Sequence, residues 1–278
     1  MSTPDTLSTL RQLGRQTLGA EQATDVDWLL CEACQISRAT LLAFAERPVD
    51  PPSRQQFLDW LEQRQNGTPV AYLLGRREFW TLSLCVSPAT LIPRPETEHL
   101  VERALAVLPL RPARVIDPGT GSGAIALALA SERPDDQIVA LDRSTEALAV
   151  AAINRQRLAL SQVQLLAGDW LDAVAERPEW DLIVSNPPYV AQTDAHLDQG
   201  DCRFEPRIAL TDGADGLSAI ETLCRQGRSR LRPGGWLLLE HGHDQAGAVR
   251  ERLHQHGYRE VASWPDLAGI ERISGGRK

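Results

Sequence analysis

The chain has 278 residues, of which 42% are hydrophobic and 24% are charged, and its formal net charge is −8. This length predicts about two domains of ordinary globular composition, and the acidic balance argues against a protein that grips a nucleic-acid backbone. Five scattered cysteines argue against a disulfide framework, and neither a signal-peptide core nor an apolar run long enough for a bilayer is present, so the cytoplasm is the predicted location.

The first 76 residues are predicted to form a small helical domain. Thr24 and Asp25 are candidate caps for a helix whose apolar residues recur at helical spacing. Ser53, followed three residues later by a glutamine, is typical of a capping box that begins another helix. Residues 77–93 alternate loosely between apolar and polar side chains, which predicts a hairpin or an extended linker.

From residue 94 to residue 278, predicted strands and helices alternate. This rhythm is typical of an α/β domain with a mostly parallel sheet that helices cover on both faces. The predicted strands span residues 114–117, 137–142, 163–169, 181–185 and 236–240, and the predicted helices span 96–108, 122–131, 144–158 and 217–231. Residues 258–264 and 270–274 predict a terminal hairpin. Because ligands of such sheets bind beyond the carboxyl ends of the strands, the residues that follow each strand are the candidate site.

A glycine-rich segment follows the first strand of this domain. Gly119, Gly121 and Gly123 alternate with two other residues, and Asp117 lies two positions upstream. Glycines let a ligand approach the backbone and supply positive φ for a tight turn, whereas a carboxylate repels phosphate and suits an ammonium or a ribose hydroxyl. The segment therefore predicts a cofactor loop unlike that of a dinucleotide enzyme, with a plain tight turn as the alternative.

The next two strands end in side chains that suit a nucleoside. Asp142 closes the second strand, where an acid can accept both hydroxyls of a ribose. Asp169 and Trp170 close the third strand, where a base can be bound by an amino hydrogen bond and by stacking. The alternatives are a helix N-cap for Asp142 and core packing for Trp170.

The turn Asn186-Pro187-Pro188-Tyr189 follows the fourth strand and is the most informative feature of the chain. The two prolines fix φ and carry no N–H, so the turn is rigid and its carbonyls stay free to accept hydrogen bonds. Beside the amide of Asn186 and the ring of Tyr189, these acceptors suit a planar group that carries an NH2. A purely structural turn is the alternative.

On these motifs, the C-terminal part resembles a class I S-adenosylmethionine-dependent methyltransferase, and the whole chain resembles the bacterial release factor glutamine methyltransferases (the PrmC/HemK family). The matching segments span residues 67–75, 91–98, 117–123, 185–189, 204–206 and 237–242. The resemblance implies an α/β fold, with a seven-stranded, mostly parallel, Rossmann-like methyltransferase sheet and a small N-terminal helical domain. It divides the chain into a substrate-recognition domain (1–76), a hairpin linker (77–93) and a catalytic domain (94–278). It also implies methylation of the glutamine in the Gly-Gly-Gln motif of class 1 peptide chain release factors.

The resemblance further implies roles for individual residues. S-adenosylmethionine would contact Gly119, Thr120, Gly121, Ser122, Gly123, Asp142, Trp170 and Asn186. The substrate glutamine would be held by Asn186, Pro187, Pro188 and Tyr189, and the catalytic residues among these would be Asn186, Pro187 and Tyr189. No metal is expected. Pro118 departs from the family, which commonly has an apolar residue with an N–H at this position.

We expect this turn to promote the reaction by aligning the substrate amide with the methyl donor. An amide nitrogen is a poor nucleophile and a sulfonium methyl is already activated, so the enzyme mainly has to orient the two groups. We expect the Asn186 side-chain oxygen and the Pro187 carbonyl to accept the two amide hydrogens, with Tyr189 packed on the amide plane.

Three other functions remain open at this point. A glutamine methyltransferase of a ribosomal protein would use the same catalytic residues. An adenine-amine methyltransferase of nucleic acid would use the same turn, although the acidic composition and the lack of a basic recognition domain argue against it. A non-enzymatic sensor of S-adenosylmethionine would need a defective turn, and this turn is complete.

The sequence also allows predictions for two further segments. Residues 190–216 are long and polar for a loop, which predicts a flap that contacts the substrate. Within it, Glu205 either faces the substrate or is solvated. The basic stretch at residues 225–230 is interpreted as solvated surface.

Overall fold

A computed structural model describes residues 5–278 of the protein, and its two compact units meet in sequence after Gly75. The first unit is helical, as predicted. Its helices are α1 (Leu7–Leu18), α2 (Ala23–Ala33), α3 (Arg38–Ala43), α4 (Pro51–Gln65) and α5 (Val70–Leu74). Their apolar faces share one core, in which Leu10, Leu29, Phe57 and Leu61 are buried. This pattern is that of amphipathic helices packed around a common apolar centre.

The caps predicted for two of these helices are wrong. α2 begins at Ala23, directly after a 3-10 turn, so Thr24 and Asp25 lie inside its first turn, where an acid still interacts favourably with the helix dipole. Asp50 rather than Ser53 caps α4, because the Asp50 side chain accepts a hydrogen bond from the Ser53 N–H at 3.0 Å. The two prolines that follow Asp50 belong to the first turn of α4, where their missing N–H groups would have no partner.

The second unit, Arg76–Lys278, opens with a hairpin and continues as an α/β fold. The hairpin strands are β1 (Arg76–Phe79) and β2 (Leu82–Cys85). The later strands are β3 (Arg114–Pro118), β4 (Gln137–Asp142), β5 (Val163–Ala167), β6 (Trp180–Ser185), β7 (Leu231–Glu240), β8 (Arg259–Pro265) and β9 (Glu271–Arg277). The later helices are α6 (Thr97–Val107), α7 (Ala124–Glu132), α8 (Thr145–Arg157), α9 (Arg207–Leu210), α10 (Ser218–Arg230) and α11 (Ala246–Gln255). Within residues 5–278, none of the helices combines the length and the apolar character needed to cross a bilayer.

The seven later strands form one sheet in the order β5-β4-β3-β6-β7-β9-β8. Strands β3 to β7 pair in parallel, whereas β9 is antiparallel to both β7 and β8. The predictions of a seven-stranded, mostly parallel sheet and of a terminal hairpin are confirmed. β7 begins at Leu231, earlier than the predicted residue 236, and Gly234 and Gly235 lie inside the strand. A Cβ on Gly235 would come within 2.9 Å of the Trp180 carbonyl oxygen, so glycine allows β6 and β7 to approach there.

Alternate residues of the strands face two helical layers. Val115 and Leu182 face a core that they share with α6 and α7, whereas Ile116 and Ile183 face a core that they share with α10 and α11. Strands β3 and β6 are therefore apolar on both faces, as expected at the centre of a parallel sheet between helices. In α7, residues 124–130 are all buried. This arrangement fixes the positions of the strand ends, where the candidate site lies.

The basic stretch at residues 225–230 is not all solvated surface, so that interpretation needs a correction. Arg230 is only 8% exposed, and its guanidinium donates hydrogen bonds to the carbonyl oxygens of Val174 and Gln226. The cation satisfies backbone acceptors that would otherwise be buried without a partner. Arg230 therefore joins the end of α10 to the segment that precedes β6.

Candidate active site

One pocket of the second unit opens at the carboxyl ends of β3, β4 and β6. Parallel strands end at the same edge of a sheet, so residues distant in sequence meet there. The predicted site residues that line it are Gly119, Thr120, Gly121, Ser122, Asp142, Trp170, Asn186 and Pro188. Gly123, Pro187 and Tyr189 adjoin these residues in the chain without lining the pocket. The rest of the lining includes Arg94 and Thr97 before and at the start of α6 and Ile208 in the segment after the proline turn.

The glycine-rich segment forms a tight loop between β3 and α7. Gly119, Gly121 and Gly123 have φ angles of 77°, 57° and 87°, in the left-handed region that favours glycine. The N–H groups of Gly119 and Thr120 both donate to the Leu141 carbonyl oxygen at 2.8 Å. The loop is thereby joined to the end of β4, beside Asp142.

The first and last glycines of this loop have different surroundings. A Cβ on Gly119 would lie 3.4 Å from the Trp170 ring, in the space between the loop and the indole. Gly123 lies beneath the loop, where a Cβ would come within 2.9 Å of the Leu127 side chain. Gly119 therefore keeps the pocket open, whereas Gly123 allows α7 to pack against the loop.

Asp117 does not face the pocket, contrary to the suggestion that its carboxylate suits an ammonium or a ribose hydroxyl. It is fully buried, and its Oδ2 accepts from the Thr120 hydroxyl at 2.6 Å and from the Ala126 N–H at 3.2 Å. Its Oδ1 has no hydrogen-bond partner among residues 5–278. Burial raises the pKa of Asp117 to about 7. This acid therefore supports the loop from beneath.

Asp142 both supports the loop and lines the pocket. Its Oδ2 accepts from the Gly121 N–H, and its Oδ1 accepts from the Ser144 N–H, both at 2.9 Å. The alternative role as a helix N-cap is excluded, because the Ser144 side chain caps α8 by accepting from the Ala147 N–H. A carboxylate oxygen has two lone pairs, so each oxygen of Asp142 can accept one more hydrogen bond from a ligand.

Trp170 has a φ of 49°, which is rare for a residue other than glycine. Its turn is held by Gln226 of α10, a buried residue whose Oε1 accepts from the Leu171 N–H at 2.9 Å and whose Nε2 donates to Asp172 at 2.7 Å. The indole packs against the core shared with α10 and α11, and it also lines the pocket. Core packing and a position at the ligand site are therefore compatible for Trp170.

The proline turn presents Asn186 and Pro188 to the pocket. The Nδ2 of Asn186 donates to the Thr97 Oγ1 at 3.1 Å, which leaves the side-chain oxygen of Asn186 available as an acceptor. Pro187 is buried, and Tyr189 is half-buried with its hydroxyl donating to the Oε1 of Glu240 at 3.3 Å. Burial raises the pKa of Tyr189, so the phenol keeps its proton.

Residues 190–216, here called the flap segment, leave the proline turn and return to it. The Val190 N–H donates to the Leu210 carbonyl oxygen at 3.0 Å. At the other end, a Cβ on Gly216 would lie 2.2 Å from the Tyr189 carbonyl oxygen, so only glycine lets the flap segment approach the turn this closely. Because Ile208 lines the pocket, the flap segment contributes to its wall.

Both expectations for Glu205, a substrate-facing side chain or a solvated one, are wrong. The residue is only 4% exposed, its Oε1 accepts from the Ile92 N–H at 3.0 Å, and its Oε2 pairs with the Arg94 guanidinium. Burial raises the pKa of Glu205, and the Arg94 charge opposes this shift. Glu205 therefore joins the flap segment to the residues that precede α6.

The sequence prediction missed three residues that support the pocket: Thr97, Gln226 and Glu240. Thr97 and Glu240 are distant in sequence from the proline turn that they support, so no local pattern connects them with it. Of these three residues, only Glu240 has a local feature that suggests a supporting role, because its carboxylate directly follows three leucines of a predicted strand. A charge at the end of an apolar strand is rarely buried unless it has partners.

The chain is similar to known methyltransferases in sequence and in fold. A family model described as the methyltransferase small domain matches residues 97–201, and another described as the PrmC N-terminal domain matches residues 8–75. The crystal structure of a methyltransferase from Pyrococcus furiosus has a TM-score of 0.55 to this chain at 20% identity, and the match covers 79% of this chain and 98% of that one. The fold is thus that of a Rossmann-like methyltransferase.

Two relatives define the family more narrowly. The release factor glutamine methyltransferase of Salmonella typhimurium is 47% identical over 253 residues, which are 91% of each chain. The protein of the same name from Bordetella pertussis is 54% identical over 241 residues, which are 86% of this chain and 89% of the relative. The chain belongs to the release factor glutamine methyltransferase family.

Proposed function

We propose that this protein transfers a methyl group from S-adenosylmethionine to the side-chain amide nitrogen of the glutamine in the Gly-Gly-Gln motif of class 1 peptide chain release factors. The observation that carries the proposal is the hydrogen bond from the Asn186 Nδ2 to Thr97. Because this bond commits the donor side of Asn186, the acceptor side remains for a substrate. An NH2 group needs acceptors of this kind, and an amide is one of the few planar groups in proteins that carries one.

The residues of the pocket fit S-adenosylmethionine. Asp142 retains acceptor capacity for two ribose hydroxyls, and its charge disfavours the phosphate groups of a dinucleotide. The space next to Gly119, which a Cβ would enter, lies against the Trp170 ring and suits a flat base. When bound, the cofactor supplies an activated methyl group on a sulfonium. We assign Gly119 to Ser122, Asp142, Trp170 and Asn186 to the cofactor side of the pocket, with Gly123 supporting the loop.

In the mechanism that we propose, the proline turn orients the substrate amide. The Asn186 side-chain oxygen and the Pro187 carbonyl accept its two N–H groups, with Pro188 beside them in the pocket lining and Tyr189 packed on the amide plane. Two fixed acceptors direct the nitrogen lone pair and stabilise the positive charge that develops on nitrogen as it is alkylated. The methylated nitrogen has become acidic and loses its extra proton to water, so the chain does not have to supply a strong base.

The remaining assignments follow from this reaction. We assign residues 1–76 to recognition of the release factor, residues 77–93 to a linker and residues 94–278 to catalysis. The partner is then a protein of the translation machinery, without direct contact to nucleic acid or a membrane, and the cytoplasm is the location. The acidic net charge of −8 supports a protein substrate over a nucleic acid.

A transfer assay with labelled methyl groups tests the proposal. The protein is incubated with labelled S-adenosylmethionine in separate reactions. Each reaction contains one candidate substrate: a purified class 1 release factor, a ribosomal protein or adenine-containing DNA. We expect label on the release factor alone, and none when the glutamine of its Gly-Gly-Gln motif is replaced by alanine. Label on the ribosomal protein or the DNA, with none on the release factor, would identify one of the other two enzymes. Absence of label from all three would refute the proposed activity.

A further inference from the structure

Asn154 of α8 carries a buried amide that the proposed mechanism does not use, and the residue is 0% exposed. Its Oδ1 accepts from the Cys85 N–H at 2.6 Å. Its Nδ2 donates to the carbonyl oxygens of Cys85 and Ser122, both at 2.9 Å. One side chain of α8 therefore holds the end of β2 and the glycine-rich loop at the same time.

We propose that Asn154 is a positioning residue, which holds the segment after β2 against the glycine-rich loop so that these two stretches of backbone together bind S-adenosylmethionine. The inference rests on the proposed function only where that function places the cofactor beside Gly119 to Ser122. It gives the hairpin β1–β2 a part in cofactor binding, beyond that of a linker.

Both attachments of Asn154 adjoin the lining of the pocket. Cys85 is the last residue of β2, and residues 86–94, here called the wall segment, follow it and lead to α6. The wall segment contributes these residues to the lining: Ala89, Thr90, Leu91, Pro93 and Arg94. Ser122 lines the same pocket from the glycine-rich loop. The amide thus connects two parts of one lining that are distant in sequence.

The wall segment is short and is held near both of its ends. At its start, both backbone polar groups of Cys85 are bonded to the side chain from α8. Near its end, the Ile92 N–H donates to the Oε1 of Glu205 at 3.0 Å. Between these points, the Thr90 N–H donates to the Ser87 carbonyl oxygen at 2.9 Å and closes a turn. A displacement of Cys85 is therefore passed on to the residues that line the pocket.

α8 provides a fixed support for these contacts. Ala151 lies about one helical turn before Asn154 and is also buried. A Cβ on Gly123 would lie 3.5 Å from the Cβ of Ala151, so α8 packs directly against the glycine-rich loop. The amide of Asn154 is therefore placed by the packing of the helix, and the wall segment is placed by the amide.

The donors and acceptors around Asn154 match an amide in one orientation. Two carbonyl oxygens need two hydrogens and one N–H needs an acceptor, which the NH2 group and the oxygen of asparagine supply. A reversed amide would turn its oxygen toward the two carbonyl oxygens, so this orientation is determined. Alanine at this position would leave three buried backbone groups without their partner and would remove the connection between the wall segment and the loop.

Calorimetry and kinetics on Asn154→Ala test the inference, with Leu253→Ala as the control. Leu253 is buried in α11 and does not line the pocket. We expect Asn154→Ala to weaken binding of S-adenosylmethionine, and to raise its KM, by about fivefold to twentyfold, the scale of a lost buried hydrogen bond. At saturating cofactor, kcat should fall by less than about threefold, because the proline turn is unchanged. Leu253→Ala should lose stability and keep wild-type affinity. If Asn154→Ala also loses stability and keeps wild-type affinity, its role is structural alone and the inference is overturned.

Hydrogen exchange in the wild-type protein requires neither a variant nor a protein substrate, so it decides the question should Asn154→Ala not fold. The Cys85 N–H exchanges with solvent only when its bond to Asn154 opens. If this opening also releases the glycine-rich loop, the open form binds S-adenosylmethionine less well, and saturating cofactor should slow the exchange by about tenfold or more. The N–H groups of α11 are the internal control and should change little. Unaltered exchange of the Cys85 N–H would overturn the inference, whereas slowed exchange without methyl transfer to a release factor would refute the proposed function alone.

Discussion

At the scale of single residues, Asn186 is the group on which the proposed reaction depends. Its amide nitrogen is committed to Thr97, and its side chain lines the pocket. We expect Asn186→Ala to lower kcat by roughly a hundredfold to a thousandfold, because one of two oriented partners of the developing charge is lost. Affinity for S-adenosylmethionine should change by only a few-fold. Stopped assays with saturating cofactor measure the first quantity, and calorimetry measures the second.

The matched control for this variant is Gln192→Ala, which removes an exposed amide a few residues beyond the turn. It should leave kcat unchanged. Wild-type turnover by Asn186→Ala would exclude the side chain from catalysis.

Substitution of Asp142 tests the proposed cofactor side of the pocket. Asp142→Ala removes the acceptor proposed for the ligand and also leaves the Gly121 N–H without its partner. We therefore expect binding of S-adenosylmethionine to weaken by about 1–3 kcal/mol, the scale of a lost hydrogen bond to a charged group. Calorimetric titration measures this change, with the exposed acid Asp135→Ala as the control. Unchanged affinity of the Asp142 variant would remove this residue from the cofactor site.

Eight predicted site residues line the pocket, but the sequence does not identify the side chains behind them. Asp142, Trp170 and Asn186 follow strands, and the ends of parallel strands meet at one edge, so topology alone brings them together. Asp117 also ends a strand, yet it is buried. Which side of the sheet a terminal side chain faces is decided by packing against α7, and a single sequence does not show this. The contact of Thr97 with Asn186 is a tertiary one and has no local pattern.

At the scale of elements, the turn that carries Trp170 depends on α10. Gln226→Leu would leave the buried Leu171 N–H and Asp172 without a partner. We expect the turn to relax from the left-handed φ of Trp170, which lowers the free energy of unfolding by about 1–3 kcal/mol and weakens cofactor binding. Urea unfolding and calorimetry measure the two effects. The exposed Gln255→Leu in α11 is the control, and equal behaviour of the two variants would contradict a role for Gln226.

The flap segment is held by Glu205 in a similar way. Glu205→Ala removes the partner of Arg94 and of the Ile92 N–H, so we expect residues 190–216 to exchange their backbone hydrogens faster, by about tenfold or more. Hydrogen–deuterium exchange with peptide mapping measures this. Asp198→Ala breaks an exposed pair with Arg207 in the same segment and should have little effect. Equal protection in wild type and Glu205→Ala would show that other contacts hold the segment.

The elements themselves were largely predictable, and the errors have specific causes. Apolar runs separated by stretches of helical periodicity predict β3 to β7. The central strands β3 and β6 are buried on both faces, whereas the edge strand β5 is largely exposed. The start of β7 was missed because glycines usually end helices, whereas Gly235 serves a close approach of strands. The predicted start of α4 is wrong because its two prolines form the first turn of the helix and do not precede it.

At the scale of the whole molecule, the buried acid beneath the glycine loop should make stability depend on pH. The pKa of Asp117 is raised to about 7 by burial, from 3.8, so between these values the folded protein retains a proton that the unfolded chain has lost. This group therefore favours folding most at low pH, and its contribution is lost as the pH rises toward 7. Asp117→Asn removes the titration and keeps an acceptor for Thr120 and the Ala126 N–H.

We expect the Asp117→Asn variant to gain stability relative to wild type as the pH is raised from 5 to 8, by roughly 2–4 kcal/mol for a shift of this size. Thermal unfolding of both proteins across this range measures the difference, in which the titration of other groups cancels. The exposed Asp135→Asn should show no such trend. A difference between Asp117→Asn and wild type that is the same at every pH would show that Asp117 is ionised in the folded protein.

The position of β9 in the sheet affects how the protein folds during translation. β9 lies between β7 and β8, so a nascent chain that has released everything through β8 still lacks the strand that joins them. Until residues 271–277 leave the ribosome, the backbone edge of β7 is unpaired and open to pairing with other chains. The sheet is therefore complete only after β9 has been translated, although its edge strand β8 precedes β9 in the chain.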